Sequence, residues 1–307
     1  MKQKKKRYFW VIITSLGLVI SDSYILLKAF YLPEIGTTVS AVQQTTTSSS
    51  SSEDTVTKVS STEPVITDTS YSDENIDINI TKNYTDNTNV YVVDIKVSDP
   101  SYLKTALAND TYGRNITEKT SEMATNNQAI LAINGDYYGF RSTGYVIRNG
   151  VMYRDTASDK SQQDLVIDDK GDFSIIDESN VTANDLISQG AQQVLSFGPS
   201  LIEDSQITVS ENEEVGQSMS SNPRTAIGQI DTNHYVMIVS EGRTDDSEGL
   251  SLYQLAEQFK NLGAKTAYNL DGGGSSTLYF NGKVINQTVG GSRGGNERSV
   301  SDIIYIG

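Results

Sequence analysis

The chain has 307 residues, no cysteine, one histidine (His234), and 24 basic against 39 acidic side chains for a net charge of −15. These counts exclude a disulfide framework, a thiolate metal centre, a cysteine nucleophile and a catalytic pair of histidines. Six of the basic residues fall in positions 1–32, so the remainder holds 18 basic against 38 acidic, and that balance argues against binding nucleic acid through its phosphates.

Residues 1–7 form a basic tail, Lys2 to Arg7, ahead of an apolar stretch over 8–32 that starts Tyr8-Phe9-Trp10-Val11-Ile12-Ile13 and tolerates Asp22 and Lys28. A spanning helix needs ~20 mostly apolar residues, and positive charge before it keeps the amino terminus inside. The expectation is an uncleaved signal anchor with a cytoplasmic tail, a single pass through the cell membrane and an extracellular C-terminal domain. A cleaved signal, with Val39-Ser40-Ala41 as the cleavage site, and a buried core helix are the alternatives. Residues 33–72, centred on Thr45-Thr46-Thr47-Ser48-Ser49-Ser50-Ser51-Ser52, carry too little apolar surface to offset their ordering entropy. They are expected to be a disordered linker that holds the folded part away from the membrane.

Period-two alternation then begins. Ile76-Asp77-Ile78-Asn79-Ile80 and Val90-Tyr91-Val92-Val93-Asp94-Ile95-Lys96-Val97 read as a hairpin. Asp99-Pro100-Ser101 offers a cap and first-turn proline for a short helix over Tyr102–Ala108, and Thr120-Ser121-Glu122-Met123-Ala124 starts another before the strand Ala129–Ile133. Tyr145–Arg148 and Val151–Arg154 flank the hairpin turn Asn149-Gly150, and Leu165–Ile167 pairs with Phe173–Ile176. Thr182 caps a helix to about Gly190, a strand follows over Gln193–Phe197, and residues 203–221 read as a loop. Asn222–Ile230 pairs with Tyr235–Val239. Apolar residues at 252, 255, 256, 259 and 262, behind Ser251 and before Gly263, give a helix. The pattern predicts an α+β fold over 73–307: one strand-rich mixed domain with a few helices, rather than a doubly wound parallel sheet.

Two strand ends share one form. Ala129–Ile133 runs into Asn134-Gly135-Asp136-Tyr137-Tyr138, and Thr266–Tyr268 runs into Asn269-Leu270-Asp271-Gly272-Gly273-Gly274-Ser275-Ser276. Three glycines and two hydroxyls exceed what a hairpin needs, and glycines lacking Cβ leave amides open to an anion. No lysine follows them as a nucleotide phosphate loop requires. Arg224, behind Pro223, and Arg243, after a strand, could meet a phosphate bidentately. Arg148 sits on a hairpin where arginines usually face solvent, His234 reads as an exposed turn residue, and Arg298 as structural or a rim contact.

In order, Asn134-Gly135-Asp136-Tyr137-Tyr138, Phe197-Gly198-Pro199-Ser200-Leu201, Asn222-Pro223-Arg224-Thr225-Ala226-Ile227-Gly228, Glu241-Gly242-Arg243 and Asn269–Thr277 closely resemble the phosphodiester glycosidase family. That family includes the animal N-acetylglucosamine-1-phosphodiester uncovering enzyme and bacterial proteins labelled as exopolysaccharide-biosynthesis proteins. The resemblance runs from about Ile95 to the C-terminus. It implies hydrolysis of the bond between a sugar's anomeric carbon and a phosphodiester oxygen on a cell-wall or capsular glycan. The candidate catalytic carboxylates are then Asp136, Asp271 and Glu241. The candidate substrate-binding residues are Asn134, Tyr137, Arg148, Gly198, Arg224, Arg243, Asn269, Gly272, Gly273, Gly274, Ser275 and Ser276. No cofactor is expected; a divalent cation between Asp136 and Asp271 has no ligand spacing to support it. The alternative is a surface protein that binds carbohydrate or assists exopolysaccharide assembly without turnover.

Overall fold

The computed structural model describes residues 15, 18–28, 31–36, 63–158, 162–212, 221–291 and 296–307. A nine-stranded sheet forms its centre. Its middle strands are Thr266–Asn269, Arg224–Asp231, His234–Ser240, Thr88–Val97 and Ile76–Thr85, paired antiparallel in that order. The hairpin joining the last two turns on Asp86 and Asn87, both with positive φ (50° and 54°). Asn and Asp tolerate that region better than other side chains, which is why the two-residue turn forms there.

The two faces of the central sheet bury different partners. On one face the helix Leu252–Asn261 lays Leu252, Leu255, Ala256 and Phe259 against Val92, Ala226, Val236 and Ile238. Ser251 caps this helix, and the Ser251–Gln254 capping box satisfies two end amides. The other face shares one core with two five-stranded sheets: Ile78, Ile95, Ile227, Met237 and Tyr268 meet Ile133, Leu278 and Ile304 from one and Leu165, Ile167 and Leu195 from the other. The first of these sheets runs Lys283–Val284, Leu278–Phe280, Leu131–Asn134, Asp302–Ile306, Leu103–Leu107. The second runs Val151–Arg154, Val146–Arg148, Gln193–Leu195, Gln163–Ile167, Phe173–Asp177. All strand pairings in these three sheets are antiparallel, as the α+β expectation requires and a doubly wound sheet does not.

The structure departs from the sequence reading in three places. The helix expected over Tyr102–Ala108 is one short turn, Pro100–Tyr102, followed by the strand Leu103–Leu107 paired to Asp302–Ile306. Asp99 still caps that turn, accepting from the Ser101 amide at 2.9 Å, so the local signal was real. Pairing with the C-terminal strand then overrides the helix. The expected loop over 203–221 contains a small hairpin, Ser200–Glu203 with Gln206–Ile207, and residues 213–220 lie outside the described residues. The expected linker is ordered at both ends. Val65–Ile66 and Ser70–Ser72 extend the edge of the central sheet, and Glu34–Ile35 pairs with Gly113–Arg114.

Much of the expected anchor lies outside the described residues. Residues 18–28 are helical and exposed, and among the described residues no helix is long and apolar enough to cross a membrane.

Candidate active site

The two similar strand ends lie side by side, because they end neighbouring sheets that share a core. Strand Thr266–Asn269 belongs to the central sheet, and strand Leu131–Asn134 pairs with Leu278–Phe280, so the segment 270–277 crosses from one sheet to the other. Asn134 ties the crossing down. Its Nδ2 donates to the Asp271 carbonyl at 2.6 Å, and its Oδ1 accepts from Thr225 Oγ1 at 2.9 Å and the Thr277 amide at 3.2 Å. A fully buried amide with all these bonds made is a strut, and the sugar-binding role expected of it gives way to positioning.

The two aspartates meet opposite environments. Asp136 is 1% exposed, and its oxygens accept from the Tyr138 amide (2.8 Å), Arg148 Nη2 (2.8 Å) and the Ser196 amide (2.9 Å). Arg148 is itself buried and also bonds Asp302 through Nε at 2.9 Å. Its guanidinium therefore sits between two carboxylates, and the solvent-facing or substrate-facing arginine expected on that hairpin is an internal counter-ion. Gly135 makes the arrangement fit: a Cβ there would meet Asp302 Oδ1 at 2.3 Å.

Asp271 has fewer bonds and a shifted proton affinity. Burial pushes its carboxyl up to about 6, against the opposing pull of the Ser275 hydroxyl, the Arg298 charge and the Gly272 amide. Ser275 Oγ donates to Asp271 Oδ2 at 2.6 Å. The glycines bring other groups close: at Gly273, where φ is +62°, a Cβ would meet Arg243 Nη2 at 3.2 Å, and at Gly274 it would meet Arg298 Nη2 at 2.8 Å. The turn's amides are less available than the sequence suggests, since those of Gly273, Ser275 and Ser276 bond to the carbonyls of Pro223, Gly272 and Gly273. Positive charge at this turn comes from side chains.

Asp271 forms part of two adjoining cavities. One, of about 150 Å³, is lined by Arg224, Arg243, Arg298, Asn222, Phe197 and Leu270–Gly274. The other, of about 220 Å³, is lined by Asp136, Tyr137, Phe140, Ser275, Arg298 and Ser299–Ser301 as well as Asp271. In it Tyr137 and Phe140 stack at 4.7 Å between ring centroids. Arg141 lies over Tyr137 at 5.7 Å and over Phe197 at 5.4 Å, one ring from each cavity. A larger groove of about 530 Å³ lies elsewhere, with one lysine (Lys104) against Asp99, Asp168 and Asp169. That charge balance is wrong for a phosphate.

The remaining expected residues divide the same way. Arg224 lines the first cavity with its Nε on the Leu250 carbonyl at 2.9 Å, and Arg243 is oriented by Asn222 Oδ1. Glu241 is not among the residues lining either cavity. It is 3% exposed and accepts from Asn89 Nδ2 (2.9 Å), Tyr91 Oη (3.1 Å) and the Gln287 amide (2.8 Å), so the structure does not bring it together with Asp136 and Asp271. Asn269 holds the Gly198 carbonyl at 2.8 Å, and Ser276 is buried with its carbonyl on Asn286 Nδ2. Asn269, Gly198 and Ser276 shape the crossing from beneath. His234 bonds Asp94 at 2.6 Å, at the hairpin turn where it was expected. Sequence reasoning undervalued Arg298, which lines both cavities and has Nη1 3.5 Å from Ser275 Oγ. It follows a glycine-rich run that also carries Arg293, and nothing local says which way it points.

This arrangement of an arginine-lined cleft, an aromatic-lined cleft and a carboxyl between them suits a ligand with an anionic part and a cyclic polar part. The phosphodiester glycosidase family model matches residues 127–307, and the chain belongs to the phosphodiester glycosidase family, a family of hydrolases. An uncharacterized SPbeta prophage-derived protein of Bacillus subtilis is 33% identical over 201 residues, 64% of this chain. The chain spans about 30% of that relative's length. Among solved structures, the catalytic domain of zebrafish N-acetylglucosamine-1-phosphodiester alpha-N-acetylglucosaminidase, auto-inhibited by its pro-peptide, has a TM-score of 0.59 at 21% identity, covering 75% of this chain and 82% of that one. A hypothetical protein from Synechocystis has a TM-score of 0.55 at 14% identity, covering 76% of this chain and 62% of that one. A putative exported protein of Burkholderia pseudomallei has 0.51 at 15%, with 71% and 74% covered. At these identities the solved structures establish the shared fold.

Proposed function

We propose that the chain hydrolyses a sugar-1-phosphodiester at the C1–O bond, releasing a reducing sugar and a phosphomonoester. The observation that carries this reading is the position of Asp271 between the arginine-lined and the aromatic-lined cavity. The phosphate lies against Arg224, Arg243 and Arg298, which meet the charge that grows on it as the bond breaks. The sugar lies against Tyr137 and Phe140, whose rings offer the apolar face that a pyranose packs on.

The scissile oxygen then falls beside Asp271. A departing phosphomonoester takes up its second proton with a pKa near ~6, and burial sets Asp271 at about 6. Donor and acceptor are matched, the condition under which general acid catalysis is efficient. Asp271 gives its proton to the leaving oxygen, the C1–O electron pair goes with it, and water adds at C1, keeping one hydrogen in the new hydroxyl and losing the other to solvent or to the Asp271 carboxylate, which restores the acid. Asp136, held by Arg148 and two amides, is fixed in the floor of the sugar cavity.

The amino-terminal apolar stretch and the basic tail before it support an anchored protein with this domain outside the cell, acting on a phosphate-linked wall or capsular glycan. Incubation with a sugar-1-phosphodiester in oxygen-18 water tests the chemistry. Label in the released sugar supports C1–O cleavage. Label in the phosphate would mean cleavage at phosphorus, and binding without any release would mean a carbohydrate-binding protein.

A further inference from the structure

The segment just after the amino-terminal helix is bonded to the catalytic domain. Residues 18–28 are helical, and the amides of Tyr31 and Leu32 both donate to the Leu27 carbonyl at 2.8 Å. The Leu32 carbonyl in turn accepts from Asn115 Nδ2 at 3.1 Å. One residue thus has its amide on the helix end and its carbonyl on the domain. Glu34–Ile35 continues as a strand on Gly113–Arg114, and the Gly36 amide donates to the Tyr112 carbonyl at 3.0 Å. Two glycines are fitted to this contact. A Cβ on Gly113 would meet the Glu34 carbonyl oxygen at 2.3 Å, and one on Gly36 would meet the Tyr112 ring at 2.2 Å.

This strap changes what the Ser/Thr-rich stretch does. The chain is on the domain through Gly36 and back on it by Val65, which pairs with Ser72 at the edge of the central sheet. The contact between helix and domain is thus made before residue 37. As a tether, the 26 residues 37–62 could have reached ~90 Å at ~3.5 Å each. The four Cα-to-Cα steps from Lys28 to Leu32 allow at most ~14 Å.

The strap also lies next to the site. The Asn115 amide donates to the Gly139 carbonyl at 3.0 Å, and Tyr112 stacks on Tyr138 at 5.5 Å. Gly139 and Tyr138 belong to the turn Tyr138–Phe140, and Phe140, 40% exposed, lines the aromatic cavity. The helix exposes Leu18, Val19 and Ile20 consecutively and Tyr24, Ile25, Leu26 and Leu27 consecutively. Runs of that kind cover every side of a helix, which fits lipid and not a one-sided protein groove.

We propose that residues 31–36 are a strap that fixes the catalytic domain at the bilayer surface with its aromatic cavity beside the lipid, so that its substrate is a glycosyl phosphodiester held in the membrane by a lipid. This rests on the anchor and the hydrolase reading above.

The test uses the full chain in phosphatidylglycerol–phosphatidylcholine vesicles. The chain has no native cysteine, so a disulfide in the Glu34→Cys/Arg114→Cys variant, at directly paired positions, reports the strap alone. It is expected to form under mild oxidation; its absence in folded protein would overturn the strap whether or not the protein is active. The substrate class is read by comparing N-acetylglucosamine-1-phosphoryl-diacylglycerol in the same vesicles with a short soluble alkyl ester of the same head. The vesicle substrate is expected to be turned over about tenfold faster or more, the gain of a shared surface. Gly113→Ala and, separately, Asn115→Ala should lower that ratio with the soluble rate unchanged. An equal ratio in wild type and both variants would overturn the lipid-held substrate. Loss of both rates with the disulfide intact would instead count against the hydrolase, and release of the chain from vesicles by alkaline carbonate against the anchor.

Discussion

Asn134-Gly135-Asp136 and Asn269-Leu270-Asp271-Gly272 are near-copies in sequence and opposites in the structure. At the first, the aspartate receives Arg148 and two backbone amides and is held in the floor of the aromatic cavity. At the second it receives one serine hydroxyl and the amide of its own glycine turn, and sits between two cavities. The difference comes from what the neighbouring sheets deliver. Arg148 arrives on a strand of the third sheet, and Gly135 leaves room for Asp302 beside it. An Asp at a strand end is locked in place where a buried arginine and two amides reach it, and has its carboxyl raised where burial outweighs the hydroxyl, the arginine and the amide that oppose it.

Variants should separate the two aspartates, beginning with the largest effect. Asp271→Asn should lower kcat/KM by about 10²–10⁴-fold, the range of a lost general acid, with an unchanged urea midpoint. Arg148→Met should act on the fold instead. Two buried carboxylates lose their counter-ion, a change that costs about 3–5 kcal/mol, read as a drop in urea midpoint. Arg298→Ala should lower kcat/KM by about 10²-fold, comparable to one lost transition-state donor, while stability stays near wild type because the side chain is exposed. Glu241→Gln should leave kcat/KM within about threefold and cost about 1–3 kcal/mol of stability through its buried donors. If Glu241→Gln removed activity from a folded protein, the cleft would be wrongly drawn.

The strand pattern was legible because the alternation in Ile76–Ile80 and Val90–Val97 records one buried face, and the helix over Leu252–Asn261 because its apolar stripe and caps agree. The same local reading failed at Leu103–Leu107, where the deciding partner, Asp302–Ile306, lies about 200 residues away. The site was legible as composition: Asp271, its glycines and the arginines at 224 and 243 do come together. Their division of labour was not. Nothing near Asp136 announces Arg148 and Ser196 as its partners, nothing near Asn134 announces the Asp271 carbonyl, and Arg298 reaches the cleft from the far end of the chain. The strap was hidden too, because Leu32–Gly36 gains its order from residues 112–115, not from its own sequence.

The pH dependence of kcat/KM on a soluble sugar-1-phosphodiester tests the division between the aspartates most directly. Burial raises the Asp271 carboxyl to about 6, so its working protonated form is fully present below that pH and disappears above it. The expected profile is level on the acid side and falls about tenfold per pH unit above about pH 6, with that limb absent from the residual activity of Asp271→Asn. A wild-type rate that instead climbs through pH 6 and stays high would contradict Asp271 as the proton donor.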